Sequence, residues 1–129
     1  MSASLMRACR ALAVALAALG TSVAVQAAAS PSDIAAGKQL AFSRKDGNCV
    51  ACHSLPSADM PGNVGPSLGP WIKQVFHSKE ALVQYLYNPQ ATFSHTVMPP
   101  FGKNGMLSEK QLSQVAAYLW SLTEKGERR

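Results

Sequence analysis

Cys49-Val50-Ala51-Cys52-His53 is the stretch that decides how the rest of this chain is read. A C-x-x-C-H run reads as an attachment site for a c-type haem. Each cysteine sulfur can add to one vinyl group of the porphyrin, and the imidazole that follows can reach the iron from the same side. On this reading Cys49 and Cys52 bind one haem covalently and His53 is the proximal iron ligand. Two rival readings exist. A zinc site needs four ligands, usually including a second Cys or His pair; only His77 and His95 remain, and they are not paired. A thioredoxin-type C-x-x-C belongs at a helix start within a βαβ pattern, and no stretch of this sequence alternates as a strand.

Outward toward the N-terminus, the composition is that of an export signal. Residues 1–10 carry Arg7 and Arg10 and no acid, residues 11–25 are small or apolar apart from Thr21 and Ser22, and Ala27, Ala28 and Ala29 follow. The order basic, apolar, small predicts a cleaved signal peptide over residues 1–28, to within two residues, and a mature protein in the periplasm. A transmembrane anchor is the alternative. The run falls short of the roughly 20 apolar residues a span needs and is charged on one flank only, so no membrane anchor is expected after cleavage. Cys9 leaves with the signal. Cys49 and Cys52 are then the remaining cysteines, with no thiol to spare for a disulfide or a nucleophile.

The mature segment, residues 29–129, is expected to form one domain, with 124–129 as a flexible tail. Twelve Lys and Arg face seven Asp and Glu in the whole chain, and losing Arg7 and Arg10 leaves a mildly basic protein. That balance fits docking to an acidic protein face better than nucleic-acid binding. Lys73, Lys79, Lys103 and Lys110 read either as solvated surface or as a docking ring. A domain of about 100 residues rich in loops has a thin core, and a buried haem would supply apolar surface.

Four helices are expected. The first enters near Ser32 and Asp33, with Ile34, Gly37, Lys38, Ala41 and Phe42 at helical spacing. Gly37 costs about 1 kcal/mol there relative to Ala, which makes sense if another helix crosses close to its backbone. Lys45-Asp46-Gly47-Asn48 is a turn into the motif. Residues 54–70 are loop, 71–76 a short helix, and 78–87 a better one, capped by Ser78 and stopped by Asn88-Pro89. Residues 90–105 form a second loop. Ser108-Glu109-Lys110-Gln111 is a capping box before the clearest helix, marked by Leu112, Val115, Ala116, Leu119 and Leu122.

The sixth iron ligand sets the redox character. Met60, His77, His95, Met98 and Met106 are the candidates. Met98 is preferred, because two prolines stiffen its loop and its neighbours Pro99, Pro100, Phe101 and Gly102 place it poorly for a helix core. His95 is the main rival. His/Met ligation raises the reduction potential relative to two nitrogens. The ring nitrogen of His53 that does not face iron needs an acceptor. The Pro66 carbonyl in Gly65-Pro66-Ser67-Leu68 is a candidate, although those residues read equally well as a rigid turn. No serine–histidine–acid pattern, phosphate loop or paired carboxylates suggest a catalytic centre.

Together, Gly37 and Phe42 ahead of Cys49-Cys52-His53, the Gly65-Pro66-x-Leu68 loop, Met98-Pro99 and Tyr118 in the last helix resemble the class I cytochromes c. That resemblance implies an all-α fold wrapped around one covalent haem c. A narrower resemblance covers about residues 33–122. Gly47-Asn48-Cys49 to His53, Pro61-Gly62-Asn63-Val64-Gly65-Pro66, Asn88-Pro89-Gln90-Ala91 and Met98-Pro99-Pro100-Phe101-Gly102 are similar to the SoxX family. It implies the electron-transfer subunit of SoxAX, an L-cysteine S-thiosulfotransferase that couples thiosulfate oxidatively to a cysteine of the SoxYZ carrier and passes electrons to a small cytochrome c. The partners implied are a SoxA-type cytochrome, SoxYZ and that acceptor. Carried over, Cys49 and Cys52 hold haem, His53 and Met98 ligate iron, and this chain contributes no catalytic residue. The alternatives are a free-standing class I carrier of another respiratory chain and a haem sensor or peroxidase-like protein.

Overall fold

A computed structural model describes residues 29–126. The expected signal peptide and the last three residues lie outside the described residues. The helices are α1 (Pro31–Phe42), α2 (Ile72–Val75), α3 (Lys79–Tyr87) and α4 (Glu109–Gly126), with 3-10 turns at Cys49–Ala51 and Pro89–Ala91. Among the described residues there is no strand, and no helix is long and apolar enough to cross a membrane.

The packing of α1 across α4 organises the molecule. The cap of α1 is Ser30, two residues before the expected Ser32; its hydroxyl accepts from the Asp33 N–H at 3.1 Å. The reason is Pro31, whose locked φ suits the first helical position and so fixes the cap one residue earlier. At the crossing, a Cβ on Gly37 would overlap the Gln114 carbonyl and lie 3.0 Å from the Tyr118 Cβ. The two backbones approach so closely that only glycine fits. Beside it Gln114 Nε2 donates to Asp33 Oδ1 at 3.1 Å, and the Phe42 and Tyr118 rings meet edge to face at 6.4 Å.

The reciprocal capping box that opens α4 is formed: the Ser108 N–H donates to Gln111 Oε1 at 2.9 Å and the Gln111 N–H to Ser108 Oγ at 3.3 Å. From α4, Leu112, Val115, Ala116, Leu119 and Leu122 are buried as the periodicity predicts. The helix continues to Gly126, past Glu124 where the tail was expected to begin. Ser78 caps α3 through the Ala81 N–H at 3.0 Å, and Leu82 and Leu86 of α3 join the core with Ile72 of α2. Because α2 is one turn long, Trp71 and Phe76 lie just outside it. Phe76 is buried against Tyr85, ring centres 4.8 Å apart, while the Trp71 indole N–H donates to the Ser67 carbonyl at 2.5 Å.

Candidate haem-attachment site

The turn at residues 43–48 delivers the chain into the motif. The Gly47 N–H reaches back to the Leu40 carbonyl at 3.1 Å, and Asn48 adopts a left-handed φ of 44°. Cys49, Val50 and Ala51 then form a single 3-10 turn. The N–H groups of Cys52 and His53 both donate to the Cys49 carbonyl, at 3.2 and 2.9 Å. Cys49, Cys52 and His53 are therefore presented by one tight turn. Both sulfurs are free thiols. Burial pushes the Cys49 thiol up to about 11, with Cys52 adding a smaller push the same way. A buried protonated thiol is a poor nucleophile and a poor redox switch, unlike a thioredoxin-type cysteine.

His53 is held from two sides. Its Nδ1 lies 2.7 Å from the Pro66 carbonyl oxygen. A carbonyl only accepts, so Nδ1 carries the proton and Nε2 keeps its lone pair for a metal. Of the two readings of Gly65-Pro66-Ser67-Leu68, the acceptor role is the one that the geometry realises. The ring also rests on Gly65, where a Cβ would come within 2.6 Å of Nδ1 and 2.8 Å of Nε2. This loop is tied back along the motif: the Gly62 N–H donates to the Val50 carbonyl, the Gly65 N–H to Cys52 and the Leu68 N–H to Ser54, each at 2.8 Å. The sequence pattern missed the contact between Gly65 and the imidazole; a glycine directly before the acceptor proline was its one signal.

The five candidates for the second iron ligand separate by burial. Met60 is 87% exposed and Met106 47%, and His77 and His95 are exposed as well. Met98 is half-buried and packs against the same core cluster that contains Cys49, while its neighbour Val97 is 83% exposed. The chain turns so that Val97 faces out and Met98 faces in. Phe101, buried three residues later, pins the loop, helped by the N–H groups of Met106 and Leu107, which both donate to its carbonyl. Gln90 Nε2 donates to the Met98 carbonyl at 2.8 Å; Gln90 is a site neighbour that spacing alone did not single out.

Two thiols in one turn, an imidazole with its Nε2 lone pair directed by tautomer, and an inward thioether on a braced loop form a donor set that fits a covalent haem. Among the described residues, no three His, Cys, Asp or Glu side chains gather into a group that could hold a bare metal ion. Lys110 and Lys79 lie close enough to Asp33 to lower its carboxyl pKa, after the larger effects of its hydrogen bonds to Ser30 and Gln114. Lys73 stacks over the Trp120 ring at 5.9 Å, and Lys103 is exposed on the loop beyond Met98.

Residues 32–119 match the family described as cytochrome c oxidase, cbb3-type, subunit III. An uncharacterized lipoprotein of Aquifex aeolicus (strain VF5) is 34% identical over 76 residues, which cover 58% of this chain. The chain spans only 36% of that relative's length.

Proposed function

We propose a function from one premise: the chain belongs to the cytochrome c family described as cytochrome c oxidase, cbb3-type, subunit III. It is accordingly a c-type cytochrome of the all-α class I fold, and its role is electron transfer. Haem c, once bound, supplies a one-electron iron couple. Cys49 and Cys52 would hold it through thioethers. His53 would ligate iron through Nε2 and Met98 through its thioether. The Pro66 carbonyl orients the imidazole and makes it a stronger donor. A thioether in the sixth position raises the reduction potential and leaves no open site for substrate, which favours a carrier over a sensor or peroxidase.

The finer reading is an exported SoxX subunit in the periplasm, paired with a SoxA-type cytochrome. In the coupled reaction a thiolate of the SoxYZ carrier and thiosulfate join through a new sulfur–sulfur bond and release two electrons. That chemistry belongs to the partner of an L-cysteine S-thiosulfotransferase, because Cys49 and Cys52 are both committed to the cofactor. This chain would receive the electrons and pass them to a small cytochrome c. Support comes from the residues of the loops around Gly65 and Met98, which are the ones similar to the SoxX family.

The single observation that carries the cytochrome reading is the His53 imidazole, fixed between Gly65 and the Pro66 carbonyl beside two thiols in one turn. The test of the finer reading is native purification of the full chain. A one-to-one complex with a second c-type cytochrome, reduced by thiosulfate only when the carrier protein is present, is expected. A stable monomer that thiosulfate and the carrier leave oxidised would remove the SoxX assignment and leave the free-standing carrier.

A further inference from the structure

Met98 lies in irregular chain, yet side chains tether both of its backbone polar groups. Its N–H donates to Thr96 Oγ1 at 3.2 Å, and its carbonyl accepts from Gln90 Nε2 at 2.8 Å. The same amide nitrogen lies 3.4 Å from the Thr96 carbonyl. Both partners of the amide are carbonyls, which only accept, so the NH2 end must face them. Gln90 is itself anchored. It sits in the 3-10 turn Pro89–Ala91, whose Pro89 is among the most deeply buried residues of the protein. The Thr92 and Phe93 N–H groups close that turn onto the Pro89 carbonyl at 3.0 and 2.9 Å. A continuous rigid path therefore runs from the core through Pro89 and the Gln90 amide to the backbone of Met98.

We propose that Gln90 is a positioning residue for the sixth ligand: its amide fixes the Met98 backbone, and so holds the thioether in place for iron. The proposal rests on Met98 being that ligand. Gln90→Leu keeps the bulk of the side chain and removes both donors. Thr96→Val removes the acceptor on the other side of Met98 and serves as a second variant where Gln90→Leu folds poorly. Ser78→Ala, which uncaps the far end of α3, controls for destabilisation alone.

The experiment compares the haem-loaded full chain and these variants by the near-infrared methionine–iron charge-transfer band and by carbon monoxide binding to the reduced protein. Gln90→Leu should keep its covalent haem and helix content. Its methionine-detached fraction should rise roughly three- to tenfold, the factor that loss of one neutral hydrogen bond sets, with a weaker band and more carbon monoxide bound. Thr96→Val should move the same way and Ser78→Ala should not. A Gln90→Leu protein with the wild-type band and wild-type carbon monoxide binding, or a Ser78→Ala protein shifted equally, overturns the positioning role while Met98 ligation stands. A wild-type band that is absent, or that survives in Met98→Ala, overturns Met98 ligation and the proposal with it.

Discussion

Replacing Gly65 by alanine should loosen the grip on His53. The added Cβ would stand 2.6 Å from Nδ1 and 2.8 Å from Nε2 of the imidazole, where ordinary van der Waals contact begins at 3.4 Å. Something must recede by more than half an ångström, and neither partner can do so without loss. If the ring swings away, the 2.7 Å contact from Nδ1 to the Pro66 carbonyl breaks. If the loop retreats instead, the 2.8 Å bond from the Gly65 N–H to the Cys52 carbonyl breaks. One hydrogen bond is worth about 1 kcal/mol, and the residual crowding adds about 1–3 kcal/mol. The sum, about 2–4 kcal/mol, is a large part of the roughly 5–15 kcal/mol that holds a domain together. For a domain of this size it lowers Tm by roughly 10–25 °C. Gly69 in the same loop provides the control, because a Cβ there meets nothing within 4 Å; Gly69→Ala should be neutral or stabilising by up to about 1 kcal/mol. Denaturant unfolding of the haem-loaded proteins, followed by circular dichroism, measures both. Equal midpoints for Gly65→Ala and Gly69→Ala would refute the argument that Gly65 is required by contact with the imidazole.

Two further outcomes follow from the helix crossing. Gly37→Ala gains about 1 kcal/mol of helix propensity but drives a methyl into the Gln114 carbonyl, an overpacking cost of about 1–3 kcal/mol, so the expected net is a loss of up to about 2 kcal/mol; a stabilised variant in urea unfolding would contradict the close crossing. The hydrogen bonds from Ser30 and Gln114 hold the Asp33 carboxyl below its ordinary value. Its contribution is therefore present above the ordinary carboxylate pKa of about 3.9 and is lost as pH falls through the lower folded value. Asp33→Asn should flatten that part of the acid limb in urea midpoints measured from pH 5 to 2, and an unchanged limb would contradict it.

Much of this was legible before any coordinates. The C-x-x-C-H run, the capping box at Ser108 and Gln111 and the 3.6-residue stripe in α4 are side-chain signals, and side chains are what a sequence displays. Gly37 was legible because a glycine inside a helix has a cost that a close backbone explains. Ser32 is a good capping residue, but the ring geometry of Pro31 takes precedence and sets the cap at Ser30. What stayed hidden works through main-chain carbonyls. The groups that accept from Gln90 belong to the Met98 and Thr96 backbones, which any residue could supply; the Pro66 carbonyl is nameable from the sequence as the partner of His53, but a rigid turn reads equally well there. Gln90 left only a weak trace, a polar amide after the helix-stopping Asn88-Pro89. The sixth-ligand question likewise needed burial: five side chains qualify by chemistry, and Met98 is the one turned inward.

The most direct test of the central claim is a pyridine haemochrome assay on the full chain expressed together with a haem-maturation system, after acid-acetone extraction and paired with intact mass. The account predicts one haem per chain that resists extraction, and loss of that resistance when Cys49 and Cys52 are both replaced by alanine. A chain that carries no covalent haem after expression with a haem-maturation system, its Cys49 and Cys52 still free thiols, would contradict it.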